Sequence, residues 1–275
     1  MIGYDKDLHH CRARRWAAWI VLGAAVAAAG CAPASESPVR RGRVRVAATS
    51  DLNAAFRALI TRFGASHDVD VTVTFGSSGA LYAQLLDQAP FDMFFSADVG
   101  YPNQLASRGL TVPQSEFSYA VGRLVLWTPN ASTLDIERQG FQALTMPAVA
   151  HVAIANPEDD PYGRAAVAAM RAAGVYEGVR PKLVTGENAA QAMQLVERGA
   201  ADAGLFALSL ASAPGAPDKG RRFEIPAGTY PRIEQGATIL RWASDLDAAR
   251  ALRGFVLSAD GRAILEQHGF LRPDR

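Results

Sequence analysis

Val71–Asp98 reads VTVTFGSSGALYAQLLDQAPFDMFFSAD and passes from strand to small-residue turn to helix to strand with almost no spare residues. Val71, Val73 and Phe75 alternate with Thr72 and Thr74, the period of a strand with one face on a core. Gly76, Ser77, Ser78 and Gly79 break that pattern, and Leu81, Leu85 and Leu86 follow at helical spacing, which places Ser78 as an N-cap or first-turn residue. A helix start carries unpaired N–H groups and the positive end of the helix dipole, so this turn can hold an anion without a charged side chain. Taken alone it is better explained as plain turn chemistry.

Working outward, the same design recurs. Val44 and Val46 form a strand that AATSDLN turns into a helix bearing Phe56, Leu59, Ile60 and Phe63, with Ser50 at the expected N-cap. Val149–Ala155 is a buried strand leading to Asp160-Pro161, a cap followed by proline at the first helical position, which leaves the amides of Tyr162 and Gly163 pointing outward. Leu183-Val184 leads to Asn188 with Gln191 three residues on, a capping box. Strands alternating with helices indicate a parallel-sheet α/β architecture. The apolar runs at Ser118–Thr128, with Gly122 inside it, and from Gly236 read as strands crossing between two lobes, and such crossings act as hinges. Trp127 and Trp242 are expected in the cores of those crossing strands.

The chain has 275 residues, 49% hydrophobic and 20% charged, with a formal net charge of +1. That is ordinary globular composition, and it offers no bulk-charge argument for nucleic acid. Arg12, Arg14 and Arg15 precede the apolar run Trp16–Ala29, an export signal over 1–31 that ends AAAGC. The ending resembles a bacterial lipobox, with Cys31 as the lipid-modified first residue of the mature protein. Ordinary signal cleavage near Ala32–Ala34 is the alternative. Residues 32–42, rich in Pro and Ser, read as a flexible tether.

Catalytic patterns are weak. His67, His151 and His268 lie in no metal-ligand spacing, and no GxSxG elbow accompanies Ser50 or Ser78. Asp98 is read as the cap of a helix beginning at Val99, and Asp92 as the end of a turn. Each helix start is explained by capping alone, but four together in an exported two-lobed chain point to a site that holds a dianion by neutral dipoles.

The segments AATSDLNAAF, TFGSSGALYAQL, APFDMFFSADVGYP, YAVGRLVLW, AIANPEDDPYGRAAV, KLVTGENAAQAMQLVERGAADAGLFALS, YPRIEQGA and GRAILEQHGF resemble the periplasmic molybdate-binding proteins of ABC importers. The resemblance covers Arg43–Phe270. It implies a two-lobed periplasmic-binding-protein fold of type II, with lobe 1 over 43–121 plus 236–271 and lobe 2 over 122–235. It further implies oxyanion ligands at Ser50 and Ser78 by hydroxyl and backbone N–H, and at Tyr162 and Ala189 by backbone N–H. No protein side chain would bind the metal directly, and no cofactor is implied. In the better-known branch a tyrosine hydroxyl also reaches the ligand; here Ala207 stands at that position, and Thr49 or Asn188 is a candidate replacement donor. The PYG and GEN motifs resemble a second branch that lacks the tyrosine. The implied protein is a monomeric, non-enzymatic carrier of molybdate and tungstate. It would be periplasmic, lipid-anchored and served by an inner-membrane ABC permease. Sulfate or phosphonate binding, a sensor role, and an enzyme on the same fold are the alternatives.

Overall fold

The alternation at Val44 and Val46 becomes strand β1 (Gly42–Thr49), which is paired on both edges and also buries Ala47 and Ala48. The computed structural model describes residues 41–216 and 219–274; the export signal, Cys31 and the tether as far as residue 40 lie outside them, and Gly42, read as the tether's last residue, already belongs to β1. From β1 the chain runs through α1 (Asn53–Gly64), β2 (Val69–Gly76), α2 (Ser78–Leu86), β3 (Met93–Ser96) and α3 (Gly100–Ser107). α1 buries Ala55, Phe56, Leu59 and Phe63, the stripe that helical spacing predicts. β1 pairs in parallel with β2 and with β3, so the helices between them serve as crossovers.

The run expected as one strand over Ser118–Thr128 is two: β4 (Phe117–Gly122) and β5 (Leu124–Pro129), with Arg123 between them. The chain continues through α4 (Ile136–Gln139), β6 (Val152–Ala155), α5 (Pro161–Ala172), α6 (Tyr176–Val179), β7 (Leu183–Gly186) and α7 (Ala189–Glu197). It ends with β8 (Ala203–Ala207), α8 (Leu208–Ala211), β9 (Gly220–Glu224), β10 (Ile233–Ile239), α9 (Leu246–Leu257) and α10 (Ala259–Gln267). The strands form two five-stranded sheets, β2-β1-β3-β10-β4 and β7-β6-β8-β5-β9. Each has a parallel trio, then a strand antiparallel to both of its neighbours, β10 in the first and β5 in the second. Those two antiparallel strands directly follow the crossings, so one plan is used twice.

Several expectations need correction at their edges. Gly122 pairs with Ile233, and Glu234 and Gln235 pair with β4, so these four residues belong to the first sheet rather than to lobe 2 as the 122–235 bounds have it. Ser50 is not an N-cap: Ser50–Leu52 form a 3₁₀ turn ahead of α1, and Thr49 precedes it. Ser77 caps α2, accepting from the amide of Ala80, and Ser78 is the first helical residue. α3 begins at Gly100, one residue later than expected, with its amide bonded to Asp98 Oδ1 at 2.8 Å. Asp92 does not merely end a turn. Its buried carboxylate accepts from the Arg45 amide and guanidinium and from the amide and hydroxyl of Ser244. Trp127 is buried on β5 as expected, whereas Trp242 lies beyond β10, half-buried, with its indole N–H on the Ala89 carbonyl.

Candidate oxyanion site

Open α/β sheets hold ligands beyond the carboxyl ends of their strands, and the four predicted positions lie there. Ser50 follows β1 and Ser78 follows β2 in one lobe; Tyr162 follows β6 by a loop and Ala189 follows β7 in the other. All four are buried, as is Thr49. Hydrogen bonds cross the lobe interface around them. The amide of Ala190 donates to Ser50 Oγ at 3.2 Å, the amide of Gly79 donates to the Asp159 carbonyl at 2.8 Å, and the Ser209 hydroxyl donates to the Asp51 carbonyl at 2.8 Å. The lobes are therefore closed on one another at the level of the four positions. A cavity of about 330 Å³ opens beside them, edged by Ser77 from one lobe and by Asn156, Asp159 and Asn188 from the other.

The hydroxyls are poised to donate. Ser78 Oγ accepts the Ala97 amide at 2.9 Å, and Ser50 Oγ accepts Ala190, which leaves each O–H free to give its proton to an acceptor in the interface. Asn188 caps α7 through the Gln191 amide at 3.0 Å, and the Gln191 side chain returns to the amide of Glu187, one residue ahead of the cap, so the capping box read from the sequence forms with its return bond shifted by one residue. The amides of lobe 2 differ from the expectation that they point outward unpaired. Tyr162 N–H donates to Asp160 Oδ1 at 2.8 Å and Ala189 N–H to Asp160 Oδ2 at 3.3 Å. Burial pushes the Asp160 carboxyl up to about 7, against the pull of the Tyr162, Ala189 and Gly163 amides and with the push of nearby Asp51. Among the described residues no group of three His, Cys, Asp or Glu side chains could hold a metal ion.

Residues 44–271 match the family model of the bacterial extracellular solute-binding proteins. The chain belongs to that family. This solute-binding protein is 33% identical over 234 residues to the molybdate-binding protein ModA of Rhodobacter capsulatus, covering 85% of this chain and 90% of that one. To the protein of the same name from Azotobacter vinelandii it is 35% identical over 227 residues, 82% of this chain and 89% of the other. Among solved structures it resembles the periplasmic molybdate-binding protein of Azotobacter vinelandii, with a TM-score of 0.77 at 29% identity over 84% of this chain and all of that one. The two-lobed type II fold expected from the sequence is the fold observed.

Behind the four positions this solute-binding protein carries a polar network that sequence reading missed. Asp51 Oδ2 accepts from the Tyr162 hydroxyl at 2.8 Å and from the Gln235 side chain, and Gln235 Oε1 accepts from the Tyr119 hydroxyl at 2.8 Å. Asp51 and Tyr162 belong to different lobes, while Gln235 and Tyr119 stand on β10 and β4, the strands that flank the crossings. Asp51 Oδ1 has no hydrogen bond within 3.5 Å among the described residues, and burial raises the Asp51 carboxyl against the pull of Gln235, Tyr162 and Thr49. Burial likewise raises both tyrosine hydroxyls well above their ordinary range, which keeps them as donors. One signal was available in the sequence: an acid at position 51, inside a turn of small and hydroxyl residues read as an anion cradle, has the wrong sign for that role.

Proposed function

We propose that this protein captures molybdate, and tungstate with it, outside the inner membrane and delivers it to an ABC permease. The observation that carries the reading is the meeting of four strand ends, two from each lobe, at a closed interface. The chain's identity to two molybdate-binding proteins over most of their length supports it. Ser50 and Ser78 supply hydroxyl and backbone donors, Tyr162 and Ala189 supply amides, and Thr49 or Asn188 serves in place of the tyrosine absent at Ala207. A tetrahedral dianion then sits among neutral dipoles, without a tight ion pair to slow its release. The role is that of a carrier, with no cofactor and no catalysis. The protein acts as a monomer in the periplasm, tethered through a lipid on Cys31.

A thermal-shift titration tests the reading. Ligand at about a hundred times its dissociation constant adds roughly 2.7 kcal/mol of stability. Molybdate and tungstate should both shift the transition, while sulfate and phosphate should not; no shift with either metal oxyanion refutes the proposal. Ser78→Ala removes a donor to an anion, a loss of about 1.5–3 kcal/mol. Calorimetric affinity should fall about ten- to a hundredfold, and an unchanged value argues against Ser78 as a ligand.

A further inference from the structure

Two amides proposed as oxyanion donors are already engaged by a group that resembles the ligand. Asp160 lies in the loop ahead of α5, and its two carboxylate oxygens reach the first turns of two different helices: Oδ1 the amide of Tyr162 in α5, Oδ2 the amide of Ala189 in α7. Capping accounts for the first contact, because an Asp before a helix commonly accepts from the second or third amide. It does not account for the second, made to a helix 29 residues away that has its own cap in Asn188. The Asp160 side chain is fully buried, so nothing but these amides and their neighbours solvates it.

Building on the oxyanion reading above, we propose that Asp160 is a tethered stand-in for the ligand, an affinity-setting residue whose carboxylate holds the Tyr162 and Ala189 amides until the oxyanion takes them. Two physical needs meet in such a residue. Closing the lobes on bare amides would bury unpaired donors, and an internal carboxylate removes that penalty. The same carboxylate opposes a dianion, both by occupying the donors and by its charge. The opposition is heightened by Asp51, the buried acid that faces it from the other lobe. The ligand must therefore displace Asp160 from the amides or bind beside it once it is discharged.

The test compares the full-length protein with Asp160→Asn and Asp160→Ala by calorimetric titration with molybdate. Asn caps a helix as well as Asp does, so Asp160→Asn keeps the fold while removing the charge and one acceptor oxygen. It should bind molybdate roughly tenfold or more tightly than the parent chain, with Asp160→Ala behaving likewise if it folds. Equal or weaker binding by Asp160→Asn overturns the proposal. A second measurement needs no ligand. In amide NMR spectra of the unliganded proteins, Asp160→Asn should move the Tyr162 and the Ala189 resonances together. If Ala189 stays in place the bridging contact is absent and the proposal fails. Should neither parent nor variant bind any metal oxyanion while both amides move, the proposed function is refuted and the stand-in contact survives it.

Discussion

Gly79→Ala separates closure from folding. The amide of Gly79 donates to the Asp159 carbonyl in the other lobe at 2.8 Å. A Cβ built on Gly79 stands 2.7 Å from that carbonyl oxygen, 2.9 Å from Asp159 Cα and 3.0 Å from the Tyr101 hydroxyl. Ordinary contact begins at 3.4 Å, so the lobes must part by about 0.7 Å at this point, the difference between 3.4 and 2.7, and the hydrogen bond stretches to its limit. The strain of overpacking is about 1–3 kcal/mol, and the weakened bond adds about 1 kcal/mol. The Asp159 clash and the weakened bond fall on the closed state alone, whereas Tyr101 lies in the same lobe as Gly79 and meets the Cβ only with the far end of its side chain. Alanine also suits the first turn of α2 better than glycine by roughly 0.5–1 kcal/mol, and that gain belongs to open and closed forms alike. Calorimetry with molybdate should show affinity reduced about thirtyfold to several hundredfold, at about 1.4 kcal/mol per tenfold. Urea unfolding of the separated, ligand-free form should show no loss of stability. Affinity within about twofold of the parent would refute the closed interface as the binding state.

Three further outcomes follow from other contacts. Asp92→Asn unbalances the buried carboxylate that Arg45 and Ser244 share, at the end of the sheet away from Ser50. Urea unfolding should register a loss of about 3 kcal/mol while molybdate affinity stays put. Arg164→Ala removes the half-exposed ion pair to Asp98 that spans the lobes at 2.8 Å. At below about 1 kcal/mol it should change affinity less than about fivefold, and added salt should erase even that. Asp160 titrates near 7 in the folded chain against 3.8 unfolded, with Asp51 the acid that faces it. The folded state therefore holds that proton more tightly, and its contribution to stability falls as pH rises from about 4 to about 7. Asp160→Asn should gain on the parent chain in ligand-free stability between pH 4 and pH 8, and a constant difference across that range would contradict the raised carboxyl.

The sequence carries the repeated strand-turn-helix units plainly, because each depends on neighbours a few residues apart. The period of Val71, Val73 and Phe75, the Asp160-Pro161 opening and the Asn188–Gln191 box all survive in the structure. So do the four strand ends on which the candidate site is built. Contacts between distant residues were not legible. Asp51 meets Gln235 across 184 positions and Tyr162 across 111, and Asp160 meets Ala189 across 29. Local reading assigned Asp160 to its nearest helix because capping is a short-range rule and α7 arrives only through the sheet. Ser50 departs from the expected cap for a related reason: Asp51 and Leu52 add a 3₁₀ turn that shifts the start of α1 without altering the apolar stripe.

Tyr162 offers a last consequence. Its amide stands among the proposed donors, while its hydroxyl reaches Asp51 and lies so close to Gly122 that any side chain there would collide with it. A single rigid ring thus joins the proposed donors to the strand at the crossing. Anything that tilts the first turn of α5 must also disturb β4 at Gly122. Under the proposed function, cargo choice and opening rate are then not separate traits that can be adjusted one at a time. A permease docking on the closed pair would read one well-defined pose rather than a range of half-shut shapes.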